Sequence, residues 1–359
     1  MKVVVVAGGT GGHIYPAVAI INKIKEKEPN SEILYIGTTD RMEKDIIPSL
    51  EIPFIGLEMK GLNRKNLFAN FSVIKKFLAA KKKAYQILKD FRPDVVVGAG
   101  GYITAPVLYA AHKLRIPILI HEQNSIPGIS NKFISSFAST ICVSLPNSIK
   151  LFPKEKVVYT GNPRSEEILS IDKKKKETLG FHQKKKLVVF VMGSLGSTTM
   201  TQKIKECIPA FKGKDYQVLI ITGKNYYEDY KQIEIPENVK IVPFMEDLIQ
   251  LLKDTDLLVS RAGASTIAEI TAIGLPAILV PSPYVTNNHQ YKNAKELEDH
   301  GACRIIQETE FSKEKVLEEI NFVLIDNKTY DKMKENSKKL GKTDSATHIY
   351  EEIKKIINR

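Results

Sequence analysis

With 359 residues, 43% of them hydrophobic, the chain exceeds one compact core of ordinary size, so two domains are expected. No run approaches the roughly 18 apolar residues that a membrane-spanning helix needs, and no basic and apolar leader precedes the first strand, so a cytoplasmic location is expected. The 53 basic against 41 acidic residues leave a net charge of +12, which favours anionic partners: nucleic acid, acidic lipid headgroups or phosphorylated substrates.

The chain opens on "VVVVAGGTGGHIYPAVAI" (3–20), a β-branched strand followed by a glycine turn and a helix. Four glycines in five positions (8, 9, 11 and 12, around Thr10) let backbone amides approach an anion at the helix N-terminus; a tight strand-to-helix turn is the plainer alternative. The spacing is not G-x-G-x-x-G, and "TTD" (38–40) after the second strand "ILYIG" (33–37) supplies no compelling ribose-binding acid, which argues against a dinucleotide site. His13 follows the loop at the start of the helix, where the dipole disfavours imidazolium and keeps the ring in the neutral state a general base needs; a residue that merely caps the turn is the alternative.

Between Arg64 and Lys89 eight basic residues occur without one acid, interleaved with Phe68, Phe71, Ile74, Phe77 and Leu78. A basic amphipathic segment of this type suits an anionic membrane surface, with Phe68, Phe71, Ile74, Lys75, Lys76, Phe77, Leu78 and Lys82 as the docking residues. A solvated helix whose apolar residues are core, or a nucleic-acid patch, are the alternatives.

The strand "VVVG" (95–98) runs into a second glycine turn, "GAGGY" (98–102), and "IPILI" (116–120) into "HEQNS" (121–125). Ser125 stands where a zinc protease would place its second histidine, which excludes HExxH chemistry. Four polar side chains after a buried strand must meet ligand or each other, and Asn124 is the pick for a sugar contact.

After "TICVS" (140–144) and a lysine-rich stretch at 173–176 the pattern restarts with "LVVFVMGSLGST" (187–198), "QVLIIT", "VKIVPF", "DLLVS" and "PAILVP", so a second α/β domain begins near Pro163. The two starts resemble each other, and the economical architecture is α/β with two doubly wound, Rossmann-like domains facing a central cleft. Ser194 and the helix start at Gly263–Thr266 offer amides and hydroxyls to phosphate, Glu269 suits ribose hydroxyls, and Gln290 and Asn293 lie on the same side. Ile349, Ile353, Ile356 and Ile357 share one face of a last helix that is expected to pack back across the domain junction. Cys142, Cys207 and Cys303 are odd in number and far apart, and read as core thiols.

Taken together, "GGTGGHIYPA", "GTTDRMEKDIIP", "PDVVVGAGGYITAP", "IPILIHEQNSIPGISNK", "TGNP", "SRAGASTIAEITAIGLPAILVP" and "HQYKNA" resemble the MurG family of peptidoglycan N-acetylglucosaminyltransferases, from the first strand to the last helix. The resemblance implies a GT-B fold and metal- and cofactor-independent transfer of N-acetylglucosamine from UDP-GlcNAc to undecaprenyl-diphospho-muramoylpentapeptide (lipid I), giving lipid II with inversion. It implies an acceptor and membrane-docking domain over 1–162, joined by the helix at 343–359, and a UDP-GlcNAc-binding domain over 163–342. By position, Thr10, Gly11, Gly12 and Asn124 belong to the substrate cleft and Ser194 to the donor diphosphate. Ala264, Ser265, Thr266, Ile267, Ala268, Glu269 and Gln290 hold nucleotide and sugar, with Glu269 on the ribose, Met245 near the uracil, and His13 as the base. The enzyme is then peripheral, on the cytoplasmic face of the membrane.

Two departures stand out. The family's G-G-S-Q-G loop reads Met192-Gly193-Ser194-Leu195-Gly196, without the amide side chain, and Arg164 directly follows the proline of "GNP" where many members place arginine one residue later, the position of Ser165. The competing readings are another GT-B sugar-nucleotide enzyme (a glycolipid synthase or UDP-GlcNAc epimerase) and a non-catalytic UDP-GlcNAc-binding homologue. A nucleic-acid module is disfavoured by the absence of RNP, KH or zinc-finger patterns.

Overall fold

The computed structural model describes residues 1–61, 70–193 and 197–358. The chain forms two units, Met1–Arg164 with Asp344–Arg359, and Ser165–Thr343.

The first unit is built on seven parallel strands: β1 (Lys2–Val6), β2 (Glu32–Thr38), β3 (Phe54–Leu57), β4 (Val95–Gly98), β5 (Ile118–Glu122), β6 (Thr140–Val143) and β7 (Val157–Tyr159). Their order is β3-β2-β1-β4-β5-β6-β7. The helices α1 (Gly11–Lys27), α2 (Glu43–Ser49), α3 (Asn70–Phe91), α4 (Thr104–Lys113) and α5 (Ile129–Ile134) connect them. A parallel sheet covered on both faces favours near-continuous apolar runs, which explains the consecutive valines of β1 and β4. Val4, Val6 and Val96 pack on one face with Ala80, Ala84 and Leu88 of α3, and Val3, Val5 and Val97 on the other with Ile14, Ile20 and Ile24 of α1. The last helix, Ser345–Ile357, belongs to this second face through Ile349, Ile353 and Ile356. Its Tyr350 and Lys354 also donate to Glu28, just past the end of α1, at 3.0 and 2.6 Å.

The second unit repeats the plan with β8 (Leu187–Val191), β9 (Gln217–Ile221), β10 (Val239–Val242), β11 (Leu257–Ser260), β12 (Ala277–Leu279) and β13 (Cys303–Ile305), in the order β10-β9-β8-β11-β12-β13. Its core gathers Phe190, Met200, Phe211, Ile278, Val316 and Ile320. Both sheets start at an inner strand, run to one edge and return to build the other, which is the doubly wound α/β class. The short strands β3, β7 and β13 are additions to the sequence reading.

The lysines at 173–176 are largely neutralised within the second unit: Lys173 pairs with Asp254 and Lys174 with Asp247, both at 2.5 Å, and Lys176 with Asp256 at 3.3 Å. Cys142, Cys207 and Cys303 are buried free thiols, and burial pushes Cys207 up to about 12.

Candidate active site

In an open parallel sheet, ligands bind outside the carboxyl ends of the strands where the winding reverses. In the first unit that point lies between β1 and β4, and the two loops leaving it are the glycine turns after Val6 and Gly98. They are locked together: Gly8 N donates to Gly100 O at 3.2 Å. A Cβ on Gly101 would lie 2.3 Å from Gly8 O, and one on Gly100 would lie 2.5 Å from the His13 ring, so close approach requires glycine at both positions.

Helix α1 begins at Gly11 with Thr10 as an extended N-cap; the Thr10 side chain makes no capping bond and the first turn holds no acid. The helix start at Thr10, Gly11 and Gly12 thus has neither a capping side chain nor a first-turn acid. His13, half-buried, stands in the first turn with Nδ1 3.1 Å from Gly8 O. A carbonyl has no proton to give, so Nδ1 bears the hydrogen and the neutral ring carries its lone pair on Nε2.

The polar run after the fourth of the predicted strands is rearranged by the structure. His121 and Glu122 are the last two residues of β5 itself and are buried, as is Gln123. Burial pushes the His121 ring down to about 4, against the hydrogen bond to Gly161 O. His121 therefore stays neutral, accepting at Nδ1 from Gln123 Nε2 (3.1 Å), with Gly161 O 3.2 Å from its Nε2. Glu122 accepts four hydrogen bonds, from Asn124 N (3.0 Å), Asn124 Nδ2 (3.3 Å), Gly128 N (2.9 Å) and Asn131 Nδ2 (2.9 Å). The polar residues thus meet each other, and Asn124 is presented, half-buried, on a loop clamped from inside.

In the second unit the winding reverses between β8 and β11. Ser194 lies outside the described residues. The helix Ala264–Ile273 starts after β11 with an uncapped N-terminus at Gly263. Ser265, Thr266 and Glu269 are half-buried, Ala264 is at the edge of burial, and the side chains of Ile267 and Ala268 face the core, so those two can offer a ligand only backbone. Met245 is half-buried after β10, beside an exposed Phe244 whose ring carries Lys224 Nζ 5.1 Å from its centroid. Gln290 is the second residue of the helix His289–Asp299 and its Oε1 accepts from Ser282 N at 2.8 Å, so its amide NH₂ is the group suited to a ligand.

Two groups escaped the sequence reading. Arg261, nearly buried, lies 2.7 Å from a Glu308 carboxylate oxygen and donates to Val280 O and Ser197 Oγ, both at 3.1 Å, tying together the loops around the second switch point. Glu43 is fully buried beneath the first loop. The signal for both was an ionisable residue embedded in an apolar or turn segment.

On α3, Val73, Ala80, Ala84 and Leu88 are buried, while the opposite stripe exposes Phe71 (80%), Ile74 (55%) and Leu78 (51%) beside exposed Lys75 and Lys82. Phe77 differs from the docking expectation: it is partly buried against the core, on the same side as Val73 and Ala80. Lys76 is half-buried and pairs with Glu58 at 3.2 Å. Phe68 lies outside the described residues.

Among the described residues no group of three His, Cys, Asp or Glu side chains is placed to hold a metal ion, and no helix is long and apolar enough to cross a membrane.

Comparison with known proteins agrees with this architecture. Residues 3–143 match the glycosyltransferase family 28 N-terminal domain and residues 187–349 its C-terminal domain. The UDP-N-acetylglucosamine--N-acetylmuramyl-(pentapeptide) pyrophosphoryl-undecaprenol N-acetylglucosamine transferase of Bacillus subtilis is 42% identical over 99% of this chain and 100% of its own. The transferase of the same name from Halalkalibacterium halodurans is 43% identical over 99% of each. The crystal structure of Acinetobacter baumannii MurG superposes with a TM-score of 0.80 at 29% identity, covering 99% of both chains. On the strength of two doubly wound units and full-length identity above 40%, the chain belongs to the MurG family of glycosyltransferases.

Proposed function

We propose that the chain transfers N-acetylglucosamine from UDP-GlcNAc to lipid I, forming lipid II with inversion at the anomeric carbon. The observation that carries the catalytic assignment is the hydrogen bond from His13 Nδ1 to Gly8 O, which puts the ring's basic lone pair on Nε2, in the first turn of α1. In this reading the acceptor's diphosphate meets the amides around Thr10, Gly11 and Gly12, with Asn124 on the sugar. Nε2 takes the proton of the attacking hydroxyl as its oxygen bonds to the anomeric carbon. The bond to the β-phosphate oxygen breaks, and its electron pair leaves with UDP. In the second unit, Ala264, Ser265, Thr266 and Gln290 hold the donor's phosphates and sugar, the backbone at Ile267 and Ala268 contributes to the same helix start, Glu269 takes the ribose hydroxyls, Met245 the uracil, and Ser194 the diphosphate. Label from radioactive UDP-GlcNAc is expected in the lipid fraction with a short-chain lipid I analogue, undiminished by EDTA. Transfer to diacylglycerol, or turnover of UDP-GlcNAc with no acceptor, would instead select the glycolipid synthase or epimerase reading.

The exposed stripe of α3 supports a peripheral seat on an anionic membrane, which in this reading is the cytoplasmic face of the cell membrane. Phe71, Ile74 and Leu78 bring apolar area and Lys75 and Lys82 charge, the two ingredients of interfacial binding. The double substitution Phe71→Glu/Ile74→Glu is expected to weaken binding to phosphatidylglycerol vesicles at least about 10-fold, since burying one such side chain is worth roughly 1.5–3 kcal/mol. Unchanged co-sedimentation would move the docking surface elsewhere.

A further inference from the structure

Glu43, the first residue of α2, is fully buried and points at the back of the opening loop. Its Oε1 accepts from Thr38 N (2.9 Å) and Thr38 Oγ1 (2.6 Å), and its Oε2 accepts from Gly9 N (3.1 Å). With three donors converging on it, the side chain has the bonding pattern of a carboxylate. Gly9 N and Gly8 O are the two ends of one peptide group, and Gly8 O is the acceptor of His13 Nδ1–H. The peptide is trans, as are all others described, so its N–H and C=O point in opposite directions, one at the carboxylate and one at the imidazole.

We propose that Glu43 is a positioning residue for the transfer reaction, acting through the Gly8–Gly9 peptide to fix the tautomer and raise the basicity of His13. The inference rests on the assignment of His13 as the base for its catalytic meaning, but the coupling itself is a property of this chain's own atoms. A negative charge at the N–H end polarises the peptide and places more negative charge on its oxygen, as in any hydrogen-bonded chain. That oxygen then holds Nδ1–H more strongly, excluding the other tautomer and stabilising the protonated ring that exists after the hydroxyl proton has moved. The arrangement does the work of a carboxylate–histidine pair at one peptide's remove, and keeps the carboxylate itself away from the diphosphate.

The other charged and titratable groups on the elements around the ring are few. His121 on β5 is neutral through its own burial, Tyr15 on α1 carries the Arg164 guanidinium 5.4 Å from its ring centroid, and Arg41 before α2 is bonded to Tyr102 after β4. None of these touches the Gly8–Gly9 peptide in the way that Glu43 does.

The test is nitrogen-15 NMR of the histidine-labelled full chain, with the His13 signals identified from His13→Gln, alongside the pH profile of transfer for wild type, Glu43→Gln and Glu43→Asp. In wild type the neutral His13 is expected as the Nδ1–H form. In Glu43→Gln its pKa is expected to fall by about half to one unit, because the imidazolium loses its negative partner. The acid limb of kcat/KM should move down with it, and the plateau kcat should drop about 5- to 20-fold as the base weakens, with the KM for UDP-GlcNAc within about twofold. Glu43→Asp keeps the charge and should recover part of the pKa. An Nε2–H tautomer in wild type, or an unshifted His13 titration in folded Glu43→Gln, overturns the proposal. The wild-type tautomer decides even where the variant does not fold. Should His13→Ala transfer at the normal rate, the base assignment fails while a shifted titration in Glu43→Gln still upholds the coupling. The reverse pattern, an inactive His13→Ala with no shift in Glu43→Gln, sinks the coupling alone.

Discussion

Replacing His13 by alanine is expected to lower kcat for transfer by about 10² to 10⁴-fold, the range that loss of a positioned general base produces. The prediction follows from where the ring's two nitrogens point. Nδ1 bears the proton it donates to Gly8 O at 3.1 Å, so the lone pair that accepts a proton is on Nε2. Binding of UDP-GlcNAc, assigned to the second unit, should be unaffected, so titration of His13→Ala with UDP-GlcNAc serves as the control for integrity. His13→Gln, which can keep a donor on Gly8 O but has no basic nitrogen, is expected to be as slow. Transfer within threefold of wild type in either variant would place the base on another side chain.

The second large effect is expected from Glu308→Leu, which strips the partner from Arg261. Both side chains are nearly buried and sit 2.7 Å apart. A buried charge left without its counter-ion costs about 3–5 kcal/mol, whereas removing both charges together is often close to neutral. Arg261→Met/Glu308→Leu should therefore be more stable to urea than Glu308→Leu alone, by about 2 kcal/mol or more. Glu308 also accepts from Thr199 Oγ1 at 2.5 Å, and Arg261 donates to Ser197 Oγ, so the single variant should also lose affinity for UDP-GlcNAc by loosening the helix start at 197–199. A single variant destabilised by less than about 1 kcal/mol would mean that Arg261 reaches water once its partner is gone.

The inner strands were legible because a sheet covered on both faces favours a continuous apolar run, which fills β1 after Lys2, β4 and β8. The strands that went unread, β3, β7 and β13, are edge strands with partly exposed residues, where that constraint is relaxed. The glycine loops were legible because close backbone approach leaves a compositional mark; Gly100 and Gly101 are packed against His13 and Gly8. The roles inside "HEQ" were not, because a buried polar residue that bonds a neighbouring loop and one that bonds a ligand are written with the same letters. Burial separates them: His121, Glu122 and Gln123 are closed off and hold the loop, and Asn124 is half open. Glu43 was invisible for a different reason. Its partners, Thr38 and Gly9, are 5 and 34 residues away, and only the pairing of β1 with β2 brings their backbones to the same carboxylate. On α3 the sequence could mark the segment as basic and amphipathic but could not divide Phe77 from Phe71, since both faces of that helix carry apolar residues.

The helix Ser345–Ile357 completes the hydrophobic face of a unit whose other residues end at Arg164. During synthesis, therefore, the second unit emerges whole while the first still lacks Ile349, Ile353 and Ile356. Residues 165–343 are a contiguous stretch that can close its own core on the ribosome, whereas the first-made unit must wait some 180 residues, leaving the face of β4 and β6 partly uncovered until the last helix arrives. The order of translation and the order of completion are opposite, so a nascent chain stalled before residue 344 would carry a finished second unit and an unfinished, sticky first one.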